Sequence, residues 1–168
     1  LITIIIGNLF AIRQENIKRM LAFSSIAQVG FVLIGISANS PAGLASVIYF
    51  VLIYVFSNIA AFGVAAVIAA QTGSEQINAY KGLYANNKML TWVMALALFS
   101  LAGIPPTAGF FGKFFLLTAG AVRADFWLVI IAALNMMVSL YYYLRVVRNM
   151  FSTEATHPAL TVPVTVKL

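Results

Sequence analysis

Cysteine is absent from this 168-residue chain, and charge nearly so. Without a thiol there is no disulfide framework, no thiolate nucleophile and no cysteine-held metal or iron–sulfur cluster. Only 8% of the residues are charged, so no soluble domain is left over. The 10 basic residues outnumber the 4 acidic ones, but they form no long run, which turns the excess away from nucleic acid and towards loop topology in a membrane. The single histidine, His157, lies in a polar, proline-rich stretch and reads as a solvated loop residue. A phosphate-binding glycine loop and a haem ligand pair are also missing, so redox chemistry has no place on this chain.

What the chain does have is apolar sequence: 62% of it is hydrophobic, with a mean hydropathy of +0.99. These values describe an all-α, polytopic membrane protein of about five spans, over residues 1–151, followed by an extramembrane tail or loop at 152–168. The expected spans lie near 1–12, 20–37, 42–70, 89–122 and 126–151. Residues 1–12 are too few to cross a bilayer and have no basic leader or cleavage site, so the chain reads as a fragment whose first helix begins before Leu1. Residues 13–19 read as a polar turn, and Asn39, Ser40 and Pro41 separate the second and third spans. Residues 71–88 form the longest polar loop, and residues 123–125 a turn.

The fourth span is unusual, because Lys113 is the only charge between residues 89 and 122 and Pro105–Pro106 interrupts the same stretch. Two prolines supply no N–H, and Gly103, Gly109 and Gly112 relax the backbone further, which predicts a broken helix with halves at 89–101 and 113–122. Unpaired peptide groups cannot face lipid, so the break must face protein or a water-filled cavity. Such breaks mark ion sites in transporters, and Lys113 falls near mid-membrane at the start of the second half. A lysine that snorkels to an interface is the plainer alternative. Ser24, Gln28, Ser57 and Asn58 are interhelical hydrogen-bond formers or stations of a polar path. Tyr141, Tyr142 and Tyr143, followed by Arg145 and Arg148, read as an interfacial belt rather than a quinone site.

NIKRMLAFSSIAQVGF, SLAGIPPTAGFFGKF and LYYYLRVVRNMF, in this order and spacing, resemble the antiporter-like subunits of respiratory complex I, NADH-quinone oxidoreductase. The larger members carry His and Lys on the helix equivalent to 42–70, where this chain has Phe50, Tyr54 and Asn58, and that fits the subunit N branch. The resemblance implies a fourteen-helix parent in which this chain holds the ninth to thirteenth helices. It implies a proton-translocating membrane-arm subunit with Lys113 as the relay. NADH, FMN, iron–sulfur clusters and quinone belong to the whole complex rather than to this chain, and the implied partners are the other membrane-arm subunits and the bilayer. Gln28 stands where many relatives have His. A subunit of a related cation/proton antiporter or membrane-bound hydrogenase, and a non-transporting membrane anchor, are the alternatives.

Threading the spans puts Arg13, Lys18, Arg19, Lys81, Lys88, Arg145, Arg148 and Lys167 on one side and Arg123 on the other. Short basic loops stay inside, which places residues 13–19, 71–88 and 145–168 on the cytoplasmic face of the inner membrane. Lys18 and Arg19 then act as topology determinants, with a proton entry route as their alternative role. Cysteines introduced at Ser40 and Ser74 test this orientation. A membrane-impermeant thiol reagent added outside sealed cells is expected to label the first and spare the second, and equal labelling rejects the assignment.

Overall fold

The computed structural model describes residues 1–121 and 126–153. These form seven α-helices: α1 (Ile2–Ile12), α2 (Ile17–Ser37), α3 (Pro41–Thr72), α4 (Leu83–Asn86), α5 (Lys88–Ala102), α6 (Ala108–Ala121) and α7 (Phe126–Met150), with a 3-10 turn at Ile77–Tyr80. By length and composition α2, α3 and α7 are long and apolar enough to cross a membrane, while α1, α5 and α6 are shorter apolar helices. At 1.5 Å per residue the 32 residues of α3 run about 48 Å, more than a hydrocarbon core of about 30 Å, so tilt or water-exposed ends absorb the excess.

Local chemistry fixes where the helices begin and end. Asn16 caps α2 by accepting from the Arg19 N–H, so Ile17, Lys18 and Arg19 form its first turn rather than belonging to the preceding loop as expected. Ser40 caps α3 in the same way, with Pro41 in the first turn where its missing N–H costs nothing. Gly73, at φ +67°, closes α3 in the left-handed region. The basic end of the bundle is tied by Glu75, whose carboxylate accepts from Lys18 Nζ at 2.6 Å and from Asn16 Nδ2 at 2.9 Å. These donors hold the Glu75 carboxyl below the usual carboxylate range, so the tie is complete at neutral pH and loosens as the solution is acidified.

Packing is organised around α3, which lies against α2, α5 and α6, while α7 closes the opposite side against α1, α5 and α6. Much of the outside is apolar: Leu44, Ile48, Leu52, Val55, Phe56 and Ile59 of α3 are all exposed. Water does not favour such a face, and lipid or neighbouring membrane helices do.

The broken helix consists of α5 and α6, separated by residues 103–107. Gly103, at φ +81°, ends α5 in a conformation that a side chain would strain, and Pro105 and Pro106 lie in the break. The second half begins at Ala108, five residues earlier than expected, so Gly109 and Gly112 are helical and do not loosen the break. Their lack of a side chain serves contact instead: a Cβ on Gly109 would overlap the Ser100 carbonyl, and one on Gly112 would come within 2.9 Å of Phe50 Cδ2. Gly109→Ala is therefore expected to cost about 1–3 kcal/mol in stability. Gly63→Ala, with nothing within 4 Å of the added atom, should be neutral or mildly stabilising. Thermal melting of the detergent-solubilised protein distinguishes them, and equal effects reject the close-contact role.

Candidate functional site

The site starts from a helix end that cannot continue. In an unbroken helix the carbonyls of Leu101 and Ala102 would receive the N–H groups four residues on, at positions 105 and 106. Both positions are proline and have no N–H to give. Gly103 N donates to Phe99 O and Ser100 O, and Ile104 N to Phe99 O, so neither reaches the last two carbonyls. Lys113 supplies the missing donors: Nζ donates to Leu101 O at 2.7 Å and to Ala102 O at 3.3 Å.

Lys113 is fully buried, and its ammonium lies 5.0 Å from the centroid of the Phe31 ring. It is the sixth residue of α6, not the first, and it reaches back past the break to the carbonyl end of α5. The expected position at the start of the second half-helix is thus corrected. The ammonium is held by the negative end of the first, which suits a cation. No ion pair to Lys113 occurs among the described residues, where the one salt bridge joins Lys18 and Glu75.

Gln28, from α2, completes the first layer. Its Nε2 donates to the same Leu101 oxygen at 3.1 Å and lies 3.5 Å from Tyr143 Oη. Its Oε1 is buried and accepts from no donor among the described residues. Beside Gln28 is a cavity of about 10 Å³, lined also by Phe50, Tyr54, Ser57, Ser100 and Gly109, with room for about one water molecule. The Ser57 and Ser100 hydroxyls are hydrogen-bonded at 2.8 Å. Ser24 is buried and donates to Leu21 O at 2.7 Å. Asn58 sits further along α3, donating to Tyr54 Oη at 2.7 Å, and its own Oδ1 is buried without a partner. Lys113, Gln28 and Ser57 are thereby gathered around one carbonyl and one cavity, with Asn58 on the adjoining Tyr54, while Ser24 turns to a carbonyl of its own helix.

A second polar line was not anticipated. Tyr142 and Tyr143 are buried, with ring centroids 4.6 Å apart, and only Tyr141 of the three tyrosines is exposed, which corrects their assignment to an interfacial belt. Tyr142 Oη donates to Asn8 Oδ1 at 3.0 Å, and Asn8 Nδ2 donates to Asn135 O and Oδ1, each at 3.2 Å. The signal was present in the sequence: Ser139, Tyr142, Tyr143, Val146, Val147 and Met150 recur at helical spacing and form the buried stripe of α7. The adjacent arginines pointed the other way. His157, Arg123 and Lys167 lie outside the described residues.

Residues 1–139 match the family described as NADH:quinone oxidoreductase/Mrp antiporter, TM. The chain is 55% identical over 152 residues to NADH-quinone oxidoreductase subunit N of Azobacteroides pseudotrichonymphae genomovar. CFP2, covering 90% of this chain and 32% of that relative. It thus spans about a third of the length of the curated relatives it matches. A chain of respiratory complex I from Thermus thermophilus superposes with a TM-score of 0.85 at 28% identity, over 98% of this chain and 37% of its own length. A chain of the Mrp complex from Dietzia sp. DQ12-45-1b gives 0.86 at 27% identity, over 92% and 29%.

Asn8→Leu tests the second line. It strips Tyr142 and Asn135 of their buried partner and is expected to lower stability by about 1–3 kcal/mol, read as a reduced melting temperature. An unchanged melting temperature would show that the line carries no structural weight.

Proposed function

We infer the function of this chain from one premise: it belongs to the NADH:quinone oxidoreductase/Mrp antiporter transmembrane family. On that premise it serves as a proton-translocating membrane-arm part of a quinone-reducing complex, with Lys113 taking up and releasing the proton. The observation that supports this most is a lysine with no exposure, seated at a helix break and held, among the described residues, by backbone carbonyls and a ring face. An intramembrane cation without a fixed carboxylate partner is poised for proton exchange rather than for structure.

The relay needs a switch and a route. Moving a neighbouring charge from about 4 to about 10 Å changes its interaction with an ammonium by roughly 2.5 kcal/mol at an effective dielectric near 20. That amount is sufficient to load or unload one site. A water in the cavity beside Gln28 extends the route towards Ser57 and Ser100. Electron transfer belongs elsewhere in the complex: NADH, FMN, iron–sulfur clusters and quinone are handled by other subunits, and a chain without cysteine does not fit a thiolate-held cluster. The partners are the other membrane-arm subunits and the bilayer, and the basic loops face the cytoplasm at the inner membrane. A cation/proton antiporter subunit is the second reading, favoured by the likeness to the Mrp complex chain. Sodium-dependent proton release in vesicles would select it.

Lys113→Met and Lys113→Arg, made in the intact parent complex, test the relay. Methionine fills much of the same volume but carries no proton, and arginine keeps the charge while being effectively never deprotonated. Both are expected to leave the complex assembled and to reduce proton uptake per quinone reduced by at least about tenfold. Full pumping by the arginine variant rejects the relay and assigns Lys113 a structural charge, and full pumping by both fits a non-transporting anchor.

A further inference from the structure

At the end of α7 away from its N-terminus lies an open groove of about 1110 Å³, unconnected with Lys113. Lys81, Arg145 and Arg148 line it together with Tyr141, Leu144 and Phe151. The depth of this groove is marked by aromatic rings. Phe151 packs against Tyr84 and Trp92, with centroids 5.1 and 5.7 Å apart, and the Lys88 ammonium lies 5.6 Å from the Tyr84 centroid. Amphipathic rings beside cations define the headgroup level of a bilayer. The loop after α3 is fastened there, since Gly82 N donates to Asn149 O at 3.1 Å.

A second feature runs away from the groove along α7. Ile130, Leu134, Met137, Tyr141 and Leu144 are all exposed, at the spacing of one helical face, and Arg148 continues that face into the groove. From Ile130 to Leu144 the stripe is about 21 Å long, close to the length of an extended acyl chain and about two thirds of a hydrocarbon core. A free anion would use the cations and ignore the stripe. A soluble peptide would not find a stripe that runs into the hydrocarbon.

We propose that this groove binds an acidic phospholipid, with the phosphodiester on Arg145 and Arg148 and one acyl chain along the Ile130 to Leu144 face. Basic pockets at the cytoplasmic side of helix bundles suit such headgroups, and each basic residue near the surface adds about fivefold in affinity for anionic lipid. Arg145 and Arg148 offer planar donor pairs that fit a phosphate in two-point geometry.

The test uses the intact parent complex with a photoreactive benzoylphenylalanine replacing Tyr141, placed in bilayers of equal phosphatidylglycerol and phosphatidylcholine. Irradiation and mass spectrometry of the α7 peptide identify what lies on the stripe. The expected result is at least fivefold more phosphatidylglycerol adduct than phosphatidylcholine adduct, unaffected by millimolar inorganic phosphate. Arg145→Gln with Arg148→Gln should abolish the preference, and Arg145→Lys with Arg148→Lys, which keeps both charges, should retain most of it. Equal labelling of the two lipids overturns the proposal. So does cross-linking to protein in place of lipid, which would make the groove a subunit or intrachain contact.

Discussion

Two carbonyl oxygens without helical donors, those of Leu101 and Ala102, set the terms for the rest of this bundle. Pro105 and Pro106 remove the N–H groups that would have satisfied them, and an apolar surrounding cannot replace those groups with water. The chain meets the requirement with a lysine eleven residues beyond the second carbonyl. For that side chain to reach back, α6 must lie close against the end of α5, and the contact at Gly109 allows this because no Cβ stands between Gly109 and the Ser100 carbonyl. Glycine, diproline and lysine thus form one device. Changing any of them alone leaves either an unpaired carbonyl or a buried ammonium without acceptors.

The surroundings of this device divide into firm and open parts. Gln28 binds the Leu101 oxygen from the α2 side, and the tyrosine and asparagine line continues into α1 and α7 with its hydrogen bonds formed. On the α3 side the pairing is incomplete, with the oxygens of Gln28 and Asn58 lacking donors among the described residues and a small cavity beside Gln28. Buried polar oxygens of this kind are normally satisfied by water. The incomplete side is therefore where water enters the account, and it faces α3, the helix on which Ser57, Tyr54 and Asn58 sit.

How much of this was legible in the sequence depended on whether the signal was local. Hydrophobic length gave the membrane class, and the diproline with a lone lysine marked the break, because both act within a few residues. The role of Gly109 was not local: glycine can free a backbone or admit a neighbour, and only the approach of Ser100 decides between them. The tyrosines failed for a related reason. Their basic neighbours suggested an interface, whereas their phase on α7 turns Tyr142 and Tyr143 inward and leaves Tyr141 outside. Lys18, set apart as a loop charge, proved to be the first turn of α2 and the partner of Glu75, which lies 57 residues away in sequence.

The choice of carbonyls rather than a carboxylate as partners has a chemical consequence for the proposed relay. An ammonium has three hydrogens, of which Leu101 O and Ala102 O occupy two. Loss of the third proton leaves a neutral amine with two N–H donors, still enough for both carbonyls. Discharging Lys113 therefore breaks neither hydrogen bond at the end of α5, so the helix break survives both charge states. A carboxylate partner would have traded a strong charge pair for a buried, unpaired anion at the same step. The Phe31 ring favours the cation through its face but cannot take its proton, so exchange must proceed by water or by a polar side chain. An arginine would keep donors for the same two oxygens but has no discharged state, which is why the structural demand of the break and the demand of proton transfer, both met by lysine, separate at this one position.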